Sequence, residues 1–374
     1  MVESDPPSAS PEDSAPQPEQ IDFPCGQCGA KLTWNPDSDA LSCAHCGTSR
    51  PVPRAAAQIV ERPLSAAGDA ARGLGSEQRA LRCNNCGATV ELDTSATADG
   101  CVFCGSSNVL AQSANRNLLR PESLVPLDVG RATVEQNFRR WIGGLWFRPS
   151  ALKSVRQFDA IGVYLPYWTF DARVHSTWSA DAGYYYYETR MVPVTVNGRT
   201  QMRAQQVRKI RWVPKWGERR DAYDDVLVHA SRGVPEDLAA KLGQWDTRAL
   251  VPYRPEYLAG WRAEEYQVDL ESAWSSARER IVASQRSRCA GDVPGDTQRN
   301  LRVHDEIDDV RWKHILLPLW TLSYRFQGKS YTVLVHGQTG RVHGRAPLSW
   351  IKILLCVLAL LVGLALAALL VARS

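Results

Sequence analysis

Eight of the ten cysteines in this 374-residue chain form two quartets of identical spacing, Cys25-x2-Cys28-x14-Cys43-x2-Cys46 and Cys83-x2-Cys86-x14-Cys101-x2-Cys104. A CxxC pair puts two thiolates on one tight turn, and two such turns brought together offer the four sulfurs that Zn²⁺ takes in a closed tetrahedral site. The knuckles read CGQCG, CAHCG, CNNCG and CVFCG, so Gly29, Gly47, Gly87 and Gly105 stand where the chain must take positive φ to fold under a metal. Two Zn²⁺ per chain are expected. Both should be structural, because four thiolates leave no open position for an activated water. Disulfide pairing is the alternative, but residues 1–20 are acidic and proline-rich with no apolar core, so they do not read as an export signal. Cys289 and Cys356 lie outside the repeat and read as small apolar residues.

A second stretch with chemical potential is Gln206–Arg220, QVRKIRWVPKWGERR. Its cations Arg208, Lys209, Arg211, Lys215, Arg219 and Arg220 are interleaved with Trp212 and Trp216, a pattern that can grip phosphates and stack on bases. The same residues suit an anionic bilayer surface, or a strand pair whose tryptophans face a core and whose cations face water. The metal-binding repeats themselves carry little positive charge: Lys31 is the only cation within Cys25–Cys46, and Cys83–Cys104 holds none. Signatures of catalysis are missing from the sequence, including HExxH, GxSxG and a Walker A loop. Asp224–Asp225 and Asp308–Asp309 are adjacent carboxylates, which on a strand point to opposite faces, so turn or surface roles are expected of them.

These residues need a scaffold, and the length allows two or three domains. A formal net charge of +4 is too mild to declare a polyanionic partner. Residues 1–20 should be disordered, 21–48 and 80–110 should each form a small β zinc ribbon, and 49–79 should be a linker that lets the ribbons move independently. From 118 to 347 the texture is that of an α+β domain with an antiparallel sheet. Helices are expected over Arg131–Trp141, Pro235–Trp245 and Glu264–Ala290. Strands are expected over Ile161–Trp178, Tyr184–Tyr187, Met191–Val196 with a turn at Asn197–Gly198, Val207–Val213, Ile315–Phe326 and Tyr331–His336. Twelve of the thirteen tryptophans lie between Trp141 and Trp350, which points to an aromatic core. YLPYWTFDARV (Tyr164–Val174) aligns with LLPLWTLSYRF (Leu316–Phe326), suggesting two related units in which a Leu-Pro-x-Trp strand lies across its own helix.

The C-terminus supplies a membrane signal. Ile353–Val371 contains no charged or strongly polar residue and as a helix would span about 29 Å, within a 350–372 segment expected to cross a bilayer once. Arg341, Arg345 and Lys352 precede it and Arg373 follows, so the positive-inside bias places the preceding domains in the cytosol.

The whole chain resembles a family of bacterial membrane-anchored proteins, mostly uncharacterised, with zinc ribbons of the transcription-factor-IIB type and one C-terminal membrane helix. The resemblance is carried by the knuckles, GVYLPYWTFDA (Gly162–Ala172), DDVLVHAS (Asp224–Ser231), YLAGWRAEEY (Tyr257–Tyr266), KHILLPLW (Lys313–Trp320) and HGQTGRVHGRAPLSWIK (His336–Lys352). Members are often labelled as resembling the primosomal replication-restart helicase. This sequence departs from a helicase in having no GxxxxGK[ST] loop to cradle phosphates; Gly337-Gln-Thr-Gly340-Arg341 has the wrong spacing. The expected function is a non-enzymatic, membrane-tethered adaptor that recruits a protein partner, with nucleic-acid binding at the membrane as the alternative.

Overall fold

The computed structural model of the chain describes residues 23–53, 59–73, 79–92, 100–115, 117–154, 158–196 and 199–373. The expected disordered segment 1–20 and the Asn197–Gly198 turn lie outside the described residues. In chain order, a first four-cysteine unit holds β1 (Leu32–Asn35), β2 (Ala40–Cys43) and β3 (Ser49–Pro51), which pair as a three-stranded antiparallel sheet. There follow β4 (Arg62–Pro63) and a short 3-10 turn over Leu64–Asp69, then a second four-cysteine unit with β5 (Arg79–Cys83), β6 (Thr89–Leu92) and β7 (Val109–Ser113). The remainder contains β8 (Ser123–Leu124), helix α1 (Arg131–Gly144), β9 (Asp159–Val196), β10 (Arg199–His229), α2 (Glu236–Lys241), β11 (Val251–Pro252), β12 (Arg262–Glu264), α3 (Leu270–Asp292), β13 (Thr297–Phe326), β14 (Lys329–His336), β15 (Val342–Gly344) and α4 (Trp350–Arg373).

One large sheet organises all of this except the first unit's three strands. β9 lies between β10 and β13, antiparallel to both, and the sheet is mixed because β12 runs parallel to β9 and β8 parallel to β13. β9 runs unbroken through what were expected as three separate strands, Ile161–Trp178, Tyr184–Tyr187 and Met191–Val196. A Cβ at Gly183 would lie 2.6 Å from Thr297 Cγ2 and 2.8 Å from Trp212 Cζ3, so glycine there permits close cross-strand packing rather than a break. Pro193 sits where β9 has only β10 beside it, so its missing N–H interrupts no sheet interior.

The two Leu-Pro-x-Trp segments do not head separate units. They lie side by side in the same sheet, with Leu165 opposite Leu317, Pro166 opposite Leu316 and Tyr164 opposite Pro318. Trp320 donates to the Val129 carbonyl just before α1 at 2.8 Å, and Trp168 donates to the Val268 carbonyl just before α3 at 2.8 Å. Each tryptophan therefore steadies the start of the helix that precedes the other segment, not its own. α3 crosses one face of the sheet on a stripe of Ala273, Ala277, Ile281, Gln285 and Cys289. The i, i+4 spacing keeps this stripe on one side, and its alanines bring the helix close to Trp168, Phe170 and Trp312. Gln285 has its polar ends matched, accepting from Tyr223 Oη at 2.8 Å and donating to Asp221 at 2.7 Å.

Both aspartate pairs occupy β-bulges. The register shifts between Tyr223 and Val226 on β10, and between Asp308 and Arg311 on β13, each facing the same stretch of β9, with Asp225 and Asp309 at φ of 50° and 46°. Asp225 N–H donates to Asp171 at 2.6 Å. Beside this bulge the ammonium of buried Lys313 meets Asp225 at 2.8 Å and Glu61 at 2.9 Å. Glu61 belongs to the segment expected to be a free linker. With Arg62 bound to Glu122 at 2.7 Å and β4 paired to β13, residues 61–63 are instead fixed to the sheet.

Lys313 is the shared cation for a group of carboxylates, so removing it leaves buried negative charge uncompensated. Lys313→Met is expected to cost about 3–5 kcal/mol in chemical denaturation. A loss below about 1 kcal/mol, the size of an exposed pair, would show that the cluster does not depend on it.

Candidate metal centres and the projecting arm

All four knuckles fold by one local scheme. The first cysteine's N–H donates to the carbonyl five residues on (Ala30, Thr48, Ala88, Ser106), and the glycine's N–H donates back to the first cysteine's carbonyl, over 2.7 to 3.0 Å. Gly29, Gly47, Gly87 and Gly105 sit at φ of 74°, 76°, 80° and 69°, the left-handed turn that glycine is expected to supply. Within each quartet the four Sγ atoms lie within 4.8 Å of one another. The closest approaches are Cys25–Cys46 at 3.5 Å and Cys28–Cys43 at 3.6 Å in the first quartet. In the second, Cys83–Cys104 and Cys86–Cys101 are both at 3.6 Å. A tetrahedron of Zn–S bonds of about 2.3 Å has edges of about 3.8 Å, whereas a disulfide closes to about 2.05 Å. The donor sets fit two zinc ions, and all eight thiols are unbridged. The Thr48 hydroxyl, 3.1 Å from Cys46, and the Thr48 backbone hold the Cys46 thiol down, while its sulfur neighbours push the Cys28 thiol up.

In a third gathering, Asp171, Asp224 and Asp225 bring carboxylate oxygens within 4.8 Å of one another. Its counter-charge is the Lys313 ammonium already described, and burial pushes Asp171 up to about 7. It reads as a structural charge cluster.

The two four-cysteine units are docked on the body, and both meet the segment Tyr257–Tyr266. Trp34 of the first unit is buried, stacks edge-on against Tyr257 at 4.7 Å, and donates its backbone N–H to Ala259 O at 2.9 Å. Trp261 donates its indole N–H to Trp34 O at 2.9 Å. Trp261 in turn lies over Gly162 of β9, where a Cβ would be 2.3 Å from its ring. In the second unit β6 pairs with β12, setting Glu91 opposite Ala263 and Val90 opposite Glu264, and Glu265 N–H donates to Thr89 O at 2.9 Å. Phe103 and Ala88 close over Gly233, where an added Cβ would stand 2.5 Å from the Phe103 ring, so the missing side chain makes room for it. The sequence marks YLAGWRAEEY without revealing this clamp, because the partners are strands and rings far away in the chain.

The basic, tryptophan-bearing stretch lies on β10 and does not form one patch. Strand alternation puts Arg208, Trp212, Trp216 and Arg220 on one face and Lys209, Arg211, Lys215 and Arg219 on the other. Several cations are already engaged. Arg219 binds Asp221 and Asp292 at 2.6 Å, Lys209 pairs with Glu188, Arg208 lies 4.4 Å over the Tyr185 ring, and Arg211 lies 5.8 Å over Tyr184. Trp212 packs over Gly183 and is covered by the Arg299 guanidinium at 4.2 Å, while Trp216 is 79% exposed.

β13 leaves the sheet at Thr297, opposite Gly183. Beyond that point β9 and β10 continue alone as a two-stranded arm, from the Tyr184–Arg211 pair to the Val196–Arg199 pair, about 40 Å of extended chain. On the face opposite α3 the arm carries Tyr187, Met191, Met202 and Ile210, all exposed, in line with Trp216. Its other face carries Arg190, Arg203, Lys209 and Arg211 with Glu188, together with Tyr184, Tyr186, Val192 and Val194, while Arg208 stands on the methionine face opposite Tyr187. Most of the arm's cations gather on one face and its methionines on the other, an asymmetry that sequence reasoning misses because it emerges only once the pairing register is known.

α4 is 24 residues long, and its span Trp350–Ala368 is unburied by protein; it is long and apolar enough to cross a membrane.

The uncharacterized protein YdjG of Bacillus subtilis is 26% identical to this chain over 343 residues, covering 88% of the chain and 91% of that protein. No protein-family profile matches the chain, and no solved structure matches it.

The junction between β6 and β12 buries carboxyl groups. Burial, reinforced by the charge of Glu265, pushes Glu91 up to about 8, and burial pushes Glu264 up to about 8 against the hydrogen bonds it accepts from Ser231, Gly233 and Gln267. Glu91 therefore keeps its proton in the folded state where the unfolded chain has lost it. Its contribution favours folding least at high pH: stability falls as pH rises from about 4.5 to about 8. Glu91→Gln is expected to flatten that slope and to raise stability at pH 7.5 by about 1–3 kcal/mol, read from unfolding midpoints across the pH range. An unchanged slope would mean that Glu91 ionises without cost in the fold.

Proposed function

We propose that the chain is a membrane-tethered, zinc-binding adaptor with no catalytic role, whose two Zn²⁺-stapled ribbons clamp the base of a β stalk and whose arm engages a protein partner. The observation that carries this reading is the exposed apolar stripe of Ile210, Tyr187, Met191 and Met202 on the two-stranded arm, continued by Trp216 where β13 also flanks β9. A two-stranded hairpin of this length is marginal by itself, and contiguous exposed apolar surface rimmed by charge marks interaction sites. Methionine and aromatic side chains with neighbouring arginine are the residues enriched at protein interfaces. The closed sulfur sites support a structural role for the metal, since no coordination position is left for substrate.

In this reading α4 spans the inner membrane once, and the cations Arg341, Arg345 and Lys352 before the span set the body in the cytosol. The ribbons act as fixed parts of the body, not as knobs swinging on a linker.

Nucleic-acid binding at the membrane is the second reading, favoured by the six cations against one acid in residues 184–211. The first reading uses the face of Met191 and Met202, and the second draws Arg190, Arg203, Lys209 and Arg211 from the other. With the full chain in lipid nanodiscs, crosslinking should capture a reproducible protein partner. That partner should be lost in the Met191→Asp, Met202→Asp double variant and kept in Arg190→Glu, Arg203→Glu. Oligonucleotide binding at physiological salt that is abolished only by the arginine pair would support the second reading and defeat the first.

A further inference from the structure

The end of the body that meets α4 carries a second exposed apolar feature. The connection from α1 to β9 places Trp146 and Phe147 at its tip, 70% and 48% exposed, with Trp350 of α4 74% exposed beside them. This connection is tied to the start of α4 by polar contacts. Ser349 N–H donates to Phe147 O at 2.9 Å, Lys352 Nζ donates to Trp146 O at 3.2 Å and lies 5.6 Å from the Trp146 ring, and Arg148 donates to Ala346 O. The rings are thus held in place, not left loose, and they stand outside the core formed behind them by Phe138, Phe158 and Tyr324.

Cations outnumber acids near this feature: among the described residues Arg139, Arg140 and Arg148 lie in this part of the chain with Asp159 at the start of β9, and no Asp or Glu occurs anywhere from 310 to 374. Arg325 at the end of β13 and Lys329 at the start of β14 belong to the same end, since Tyr324 packs against Phe138 with ring centroids 5.7 Å apart. Exposed aromatic rings with Lys352 over Trp146 and Arg148 adjacent, next to a helix able to cross a bilayer, match the headgroup layer of an anionic membrane. Amphipathic rings settle at that depth, and each nearby cation gains from the negative surface potential.

We propose that Trp146 and Phe147 form an interfacial foot that inserts among the headgroups of the leaflet from which α4 enters. The occupant of this surface is the lipid bilayer. This rests on the reading of α4 as a membrane span. The foot gives the body a second point of attachment, so α4 does not act as a flexible tether. β9 leaves this end of the body at Asp159 and runs 38 residues to the end of the arm, so the foot and the arm occupy opposite ends of the same strand.

The test is site-specific photocrosslinking of the full chain in vesicles of phosphatidylcholine with phosphatidylglycerol. Phe147→p-benzoylphenylalanine reports the foot, Leu358→p-benzoylphenylalanine reports the span, and Trp216→p-benzoylphenylalanine is the distant exposed control. Lipid adducts at 147 and 358 with none above background at 216 are expected. Adducts at 358 without any at 147 overturn the foot and leave the span standing. Adducts at 147 without any at 358 overturn the span and leave the foot, and absence at both overturns the two together. Because both reporter positions are exposed, folding can be checked independently by an unchanged zinc content of each variant.

Discussion

Four-sulfur closure is the constraint on which the rest of the architecture depends. Neither four-cysteine unit has enough apolar sequence to hold three short strands together, and each relies on two knuckles being pinned to a common centre. Once pinned, each presents a small set of apolar side chains that the body lacks. The first contributes Trp34, Leu32 and Leu41 to the same core cluster as Trp320 and Tyr164. The second contributes Ala88, Val90 and Phe103 to the cluster around Leu165 and Leu317. The segment Tyr257–Tyr266 is the receiving surface for both. The second unit therefore extends the large sheet while the first packs its own small sheet onto the body, and both reach β9, through β12 and through Trp261 on Gly162.

That strand then connects regions with different duties. Near Asp159 it is part of the aromatic base beside α4, in its middle it is covered by α3 and braced by the paired bulges at Asp225 and Asp309, and past Gly183 it becomes the bare arm. Where α3 covers the sheet, Asp221 accepts from Arg219, Gln285 and Arg288, and these contacts hold its carboxyl well below the usual range. Beyond Thr297 the arm is tied at its base by Tyr185 N–H donating to Asp296 at 2.7 Å and otherwise takes its shape from pairing register and tyrosine–arginine stacking.

Much of the local chemistry is legible in the sequence. The knuckles are readable because ligand type, spacing and the following glycine are all local, and α1 and α4 are readable because periodicity and continuous apolarity are local too. Trp274 and Ile281 place α3 correctly, though it starts at Leu270 and not at Glu264, since Ala263 and Glu264 are taken by pairing with β6. What a sequence loses is non-local. The linker 49–79 looks free because its composition is that of a linker, while the anchors at Glu61, Arg62 and Pro63 come from β13 and Glu122. The two Leu-Pro-x-Trp segments look like markers of two units, whereas their mutual pairing places them in one. The Gln206–Arg220 cations look like a patch because a one-dimensional reading does not show the strand dividing them between two faces.

The central claim is that sulfur-bound metal orders the body as well as the ribbons. Hydrogen exchange of the full chain before and after zinc removal by a chelator tests it directly. Removal is predicted to expose amides in both ribbons and also those of Ala259 to Glu265 and of β9 from Val163 to Leu165, while α3 stays protected. Exchange confined to the knuckles and their own short strands, with the Tyr257–Tyr266 segment unchanged, would contradict it.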